Sequence, residues 1–440
     1  MKKKKPDDQD SKANSRKGKG DDQGGPVPQT PGEGRPEGME TYPSPPPPSK
    51  GRIIGLDCHP DTFTAAVLRG STVHDAKRLE CRTMTLDGLM AWAAASFTAD
   101  DLFLMEAGSN SFEVCRRLRA LGLRAAVLES AYVGKHAKSH ADNDRMAAER
   151  IAMVFLGGKA PCVWVPDAAT VERRELLHAY TATVACHVAA VNGLKGYLNQ
   201  HAVRLGQRNP GSEKTRAWIL GQRGWSALQL EILGTHFTAI DTQAALRQKL
   251  SRLIGREVAN EPLMLGCMRL LGIGMVNAFA LIALIGDIKR FEHAGKLVSY
   301  FGLNPGQKES GHGKRKKLGT GGRGRGDMRA LLVQGAQAVL RLGKRTGLGQ
   351  WGVKLLFRKG KRNIAVVAVA RKMAVQVWHL LSGNPPKDLE QGKSLTIKLG
   401  KLAVTLGKVL RKELSFPPSL AATVEMLRSR IIPPASNGTA

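Results

Sequence analysis

Arg52-Ile-Ile-Gly-Leu-Asp57-Cys-His-Pro-Asp61-Thr-Phe-Thr-Ala-Ala-Val-Leu68 is the stretch on which the fold class turns. Ile53 to Leu56 is an apolar run that ends on an acid, and Thr62 to Leu68 returns after a short turn, so a buried strand with a partner is predicted. Outward from it, Leu102-Phe-Leu-Met-Glu106 is another apolar run ending in an acid. Asn110 to Leu121 has helical spacing (Phe112, Val114, Cys115, Leu118, Leu121), Arg124 to Leu128 reads as a strand and Asp142 to Leu156 as a helix. Strands alternating with helices predict an α/β sheet domain, residues 51–166.

The pattern then turns helical. From Ala168 to about Leu265, apolar positions recur three and four apart (Leu176, Leu177, Tyr180, Val184, Val188, Val191, Leu194, Leu198), with a polar break at Gln207 to Lys214. Two long helices packed as a hairpin or coiled coil fit residues 167–264. Next, Arg269-Leu-Leu-Gly-Ile-Gly274 opens an apolar stretch running to Asp287, a helix-hairpin-helix signal in which helix N-terminal amides meet a DNA backbone. As a nucleotide-binding loop the same letters are weak, because no strand precedes them and the third glycine is missing. Met328 to Leu342 and Asn363 to Leu381 predict two more helices that close a helical domain over 265–385, followed by an extension, 386–440. The expected class is therefore α/β plus α.

Charge narrows the partners. The chain has 440 residues and a formal charge of +30. Its first fifty residues hold 10 basic and 8 acidic groups, almost no apolar content and the run Pro45 to Pro48, so they read as a disordered tail and the excess charge lies beyond them. Nucleic acid leads as the partner and an anionic membrane surface comes second. No apolar run is read as long enough for a membrane span, and Lys2 to Lys5 lead into polar sequence, so a cytoplasmic protein with no membrane partner is expected. The six cysteines are scattered without zinc-ligand spacing and read as reduced, mostly buried thiols. Neighbours in sequence point different ways, so the Cys58-His59 and Cys186-His187 adjacencies do not make a nucleophile and its base.

Asp57 and Glu106 end predicted strands and Asp144 begins a helix, an order that gathers three carboxylates at one sheet edge, where hard oxygen ligands hold Mg²⁺ for phosphoryl transfer. A single acid at a strand end is usually just solvated; three in this order point to a site. Gly306 to Arg362 holds 16 Lys or Arg against two acids. Ser310 lies within it, as a candidate nucleophile among cations that stabilise an alkoxide and a pentacovalent phosphorus, against the plainer reading of a Ser-Gly turn. His312 is a candidate base or phosphate contact, against the favoured reading of a solvated loop histidine. Lys314, Arg315, Lys316, Lys317, Arg323, Arg325 and Arg329 are the phosphate-contact candidates.

Taken together these motifs resemble the insertion-sequence 110 family of transposases, the DEDD-type recombinases that include a pilin-gene invertase. The likeness covers about residues 52–385. Ile54-Gly-Leu-Asp57 with Asp61-Thr-Phe63 resembles the first acid block, Met105-Glu106-Ala-Gly the second, and Asn143-Asp144-Arg-Met-Ala-Ala148 onward the third. Leu271-Gly-Ile-Gly274, Ile285-Gly-Asp287 and Tyr300-Phe-Gly-Leu303-Asn-Pro305 through Ser310-Gly311 resemble the C-terminal transposase domain. The resemblance implies a ribonuclease H-like domain of the Holliday-junction-resolvase type, a coiled-coil arm and a helical serine-bearing domain. It further implies that Asp57, Glu106 and Asp144 bind Mg²⁺ and that Ser310 forms a phosphoserine link to DNA. Donor and target DNA, a structured noncoding guide RNA and a homo-oligomer, dimer or tetramer, are the implied partners.

One position departs from the family. Its fourth acid stands three residues after the third, one turn along the same helix face, and here that residue is Ala147. The loss should weaken Mg²⁺ binding, and Glu149 points elsewhere on a helix. Three readings stay open on the sequence: an RNA-guided recombinase impaired at Ala147, a nucleic-acid-binding relative without catalysis, and a Holliday-junction nuclease that uses only the acids.

Overall fold

The computed structural model describes residues 45–46, 48, 51–136, 143–308, 316–320, 324–386, 389 and 392–431. Most of the tail expected to be disordered falls outside these. The sheet domain contains β1 (Ile53–Cys58), β2 (Phe63–Arg69), β3 (Lys77–Met84), α1 (Leu86–Ser96), β4 (Leu102–Glu106), α2 (Ser111–Ala120), β5 (Arg124–Leu128), α3 (Ser130–Val133), α4 (Asp144–Leu156) and β6 (Cys162–Val163). The strand order is β3-β2-β1-β4-β5-β6. β1 pairs antiparallel with β2 and parallel with β4, and β5 continues the parallel run. The apolar run Ile53 to Leu56 in β1 follows from this central place, since helices cover both of its faces, and Asp57 comes where the burial ends. Ile54, Leu56, Phe103 and Met105 pack under α1 and α2; Ile53, Leu102, Leu104 and Ala126 pack under α4.

Neither β3 nor α1 follows from apolar patterning. β3, Lys-Arg-Leu-Glu-Cys-Arg-Thr-Met, is an edge strand whose charges face solvent, so it has little apolar pattern to read. α4 seats closely on the sheet because residue 55 is glycine: a Cβ there would lie 1.9 Å from the Ala148 carbonyl oxygen. At the start of β1, Arg52 is held by Asp101 at 2.9 Å with its guanidinium over the Phe97 ring.

Beyond the sheet run α5 (Ala168–Gln200), α6 (Glu213–Leu220) and α7 (Ala227–Asn260). α5 and α7 lie antiparallel, with Arg173 against Glu257 and Glu261 at one end and Gly193 against the His236 ring further along. The predicted polar break is irregular up to Ser212, and α6, which starts at its end, closes a small core through Ile219 with Leu194, Leu198, Leu233 and Ile240. Val188, one of the expected apolar stripe, is exposed.

The remaining elements are α8 (Pro262–Cys267), α9 (Met275–Ile285), α10 (Ala294–Tyr300), β7 (Pro305–Lys308), β8 (Lys316–Thr320), α11 (Gly326–Leu342), α12 (Gly347–Lys359), α13 (Arg362–Leu381), α14 (Gly392–Glu413) and α15 (Leu420–Ser429). α9 is buried throughout from Ala278 and forms the centre of the core. The Gly-x-Gly turn does join two helices. Gly272 takes a φ of +74°, and a Cβ on it would meet the Gly335 carbonyl of α11 at 2.6 Å, so close helix crossing accounts for that glycine. The sheet domain docks through Trp164: a Cβ on Gly286 would lie 2.3 Å from its ring, and Arg174 and Arg290 stack on it at 5.2 and 4.7 Å.

The expectation that no apolar run reaches span length needs correction. α13, with 20 residues, is long and apolar enough to cross a membrane by length and composition. Its apolar side, Ala365, Val366, Val369, Ala370, Met373, Ala374 and Val377, is buried in the helical core, so tertiary packing accounts for its hydropathy.

Candidate active site

Side chains alternate along a strand, so Ile53, Gly55, Asp57 and His59 form one row on β1 and its continuation, facing α4. The parallel register pairs Leu56 with Met105, which sets Glu106 beside Asp57 on the same face. Asp144 arrives from α4. The Asn143 side chain accepts the Met146 backbone N–H at 3.0 Å, and this N-cap starts the helix with Asp144 in its first turn, where the helix dipole favours a carboxylate. Two local features therefore build the site: the Asn143 cap, and the glycine gap that lets α4 approach β1.

The group that results differs from the expected acid triad. His59 Nε2 lies 3.3 Å from Asp57 Oδ2 and 3.4 Å from Asp144 Oδ1. Ligand atoms of Asp57, His59 and Asp144 all fall within 4.8 Å of one another. Glu106 is the neighbour of Asp57 but stands outside that set of three. The β1–β2 turn holding His59 is fixed by Asn110 Nδ2, which donates to the His59 carbonyl at 2.7 Å, and by the His59 N–H, which donates to Thr62 at 3.0 Å.

These residues fit a divalent cation. Metal–ligand bonds of about 2.1 Å require adjacent donors roughly 3 Å apart, close to the spacings here. Two carboxylate oxygens and an imidazole nitrogen form a mixed set that suits Mn²⁺ or Zn²⁺ as well as Mg²⁺. Electrostatics agree, since burial raises Asp57 above the usual carboxylate range; His59 opposes the shift and the Asp144 charge adds to it. Burial also raises Glu106, with Arg150 opposing and Asp57 adding. A cation at this edge relieves that cost.

In the sequence His59 stands out only as the neighbour of Cys58. Burial pushes the Cys58 thiol up to about 12, so it is no thiolate near neutral pH. The missed signal was Asp57-x-His59, two positions apart at a strand end. Arg150 was missed as well. All six cysteines are free; Cys115, Cys162 and Cys267 are buried, but Cys186 is exposed. Ala147 is in the first turns of α4, and Glu149 is taken by Arg78 at 2.8 Å.

Ser310, Lys314, Arg315 and Arg323 lie outside the described residues, as does His312. Ser310 falls in the connection between β7 and β8, which pair antiparallel as a hairpin with Lys308 opposite Lys316 and Gln307 opposite Lys317. Of the expected site residues that are described, Asp57 and Asp144 meet through His59, with Glu106 beside Asp57. At the base of the hairpin, Arg325 pairs with Asp327 at 2.7 Å while its N–H donates to the Tyr300 carbonyl at 2.8 Å. Arg329 donates to the Phe301 carbonyl at 3.5 Å.

Comparison with known proteins gives the setting for this geometry. Residues 267–347 match the model of the transposase IS116/IS110/IS902 family. The chain is similar to the transposase for insertion sequence element IS1111A of Coxiella burnetii, 28% identical over 296 residues, which are 63% of this chain and 77% of the relative. It is also similar to the pilin gene-inverting protein of Moraxella lacunata, 30% identical over 118 residues, 27% of this chain and 36% of that one.

Proposed function

The chain belongs to the IS116/IS110/IS902 family of transposases, and on that premise we propose that it is a DNA recombinase joining a metal-binding carboxylate edge to a serine nucleophile. The observation that carries the proposal is the meeting of Asp57, His59 and Asp144 beside Glu106. Strand order β3-β2-β1-β4-β5, with β1 parallel to β4 and α4 across the acid-bearing face, supports a ribonuclease H-like reading of the domain. The antiparallel α5 and α7 support an arm of coiled-coil kind.

In this reading Asp57, His59 and Asp144 hold the cation and Glu106 adds a further carboxylate; Mg²⁺ is the expected ion. When bound, it supplies positive charge to the oxygens around the reacting phosphorus. Asp57 and Asp144 must be ionised and His59 neutral to bind it. Ser310 supplies the nucleophile: its Oγ–P bond forms as the bond from phosphorus to a sugar oxygen breaks, the hydroxyl proton leaves to solvent or a base and the sugar oxygen takes up a proton. Lys314, Arg315, Lys316, Lys317, Arg323, Arg325 and Arg329 hold phosphates around that hairpin. Donor and target DNA, a structured noncoding guide RNA and a homo-oligomer that unites acids and serine from different protomers complete the proposal.

Ala147 favours a second reading, a relative that binds nucleic acid without cutting it. Denaturing electrophoresis separates the two. End-labelled DNA, the RNA encoded beside the gene and Mg²⁺ are incubated with the chain, with Ala147→Asp, and with Ala147→Asp plus Ser310→Ala. A protein-linked DNA band that disappears with Ser310→Ala supports the recombinase. Binding without such a band, even with Asp restored, supports the second reading, and cleavage that survives Ser310→Ala supports a nuclease working with the acids alone.

A further inference from the structure

The tip joining α12 to α13 carries an apolar ring among uncompensated cations. Phe357 is 83% exposed, the most exposed large apolar side chain among the described residues. Lys354, Arg358, Lys359, Lys361 and Arg362 are all exposed around it, and no ion pair or side-chain hydrogen bond among the described residues engages any of them. Residues three and four apart share a helix face, so Lys354 stands beside Phe357 and Arg358. α12 ends at Gly360, whose φ of 64° turns the chain straight into α13 at Arg362 and keeps the tip tight.

A solvated charged tip explains the cations but not the ring. A second copy of this chain would set like charges against one another, whereas a nucleic acid brings phosphates for the cations and a base for the ring. We propose that Phe357 stacks on an unpaired nucleobase of bound DNA while Lys354, Arg358, Lys359, Lys361 and Arg362 hold the flanking phosphates. The inference rests on the recombinase reading only in taking DNA as the ligand, and it assigns the tip to strands that have opened.

The test uses the full chain and two DNA duplexes, one fully paired and one with an unpaired bulge carrying 2-aminopurine, read by anisotropy and by base fluorescence. The wild type is expected to prefer the bulge and to quench its fluorescence. Phe357→Ala should lose the quenching and weaken bulge binding by roughly 5- to 100-fold, with paired-duplex affinity kept, and Phe357→Trp should retain both effects. Equal affinity of the wild type for the two duplexes, or an unchanged bulge preference in Phe357→Ala, overturns the inference and leaves the recombinase reading intact. A shift of oligomeric state in Phe357→Ala, seen by light scattering, would assign the ring to a protein contact and overturns it too. Failure of the wild type to bind either duplex would remove the DNA reading itself, and this inference with it.

Discussion

His59 shares a face with Asp57 because two steps along an extended chain restore the same orientation. It stands 3.4 Å from Asp144, and Ala147, where the resemblance implies a fourth acid, lies about one turn further along α4. His59→Ala should weaken Mn²⁺ binding by about 10–100-fold, and Ala147→Asp should strengthen Mg²⁺ binding, both measured by calorimetric titration. Asp57 adds a pH signature. Its folded-state pKa is raised, chiefly by burial, so its contribution to stability is present below the ordinary carboxylate range and is lost as pH rises through the raised value. In a chelator, Asp57→Asn should therefore raise the melting temperature near neutral pH, with the gain vanishing on acidification. A gain that persists in acid would contradict the burial argument. At this scale Asp57, Glu106 and Asp144 were legible as acids ending or opening elements, while His59 was not, because its meaning depends on which helix crosses the strand.

Two elements, β1 and α4, make the site, and their closeness depends on Gly55. A side chain there collides with the Ala148 carbonyl, backbone that cannot swing aside. Gly55→Ala should cost about 1–3 kcal/mol of stability, as overpacking does, and should lower metal affinity by moving Asp144 away from Asp57. Denaturant unfolding and metal titration of the same variant check both halves; unchanged metal affinity would mean that α4 does not carry the ligand geometry. The central strands were readable because burial on both faces forces an apolar run. β3 and α12 were not: one is a charged edge strand, the other a short helix rich in glycine and cations. α13 shows the converse, a sequence apolar enough for a membrane that owes its hydropathy to the helices around it.

Across the whole molecule, a charge of +30 must be matched by a polyanion or spread through solvent. Each neutralised phosphate releases counterions, so DNA affinity should fall by about 10³–10⁵ between 50 and 200 mM salt if six to ten phosphates are held. A flat response would mean that the basic hairpin and tip are not the contact surface. The change from alternating strands and helices to long helices near Pro166 was legible, but the packing of sheet against helices was not, because Trp164 and Gly286 lie far apart in sequence and meet only through close packing. The proposed chemistry requires the acid edge to be a metal site. Titration calorimetry of Mn²⁺ into the full chain, with Asp57→Asn in parallel, tests that most directly. One saturable site per chain that disappears in Asp57→Asn is the predicted result, and heats that are absent in the wild type, or unchanged in the variant, would contradict it.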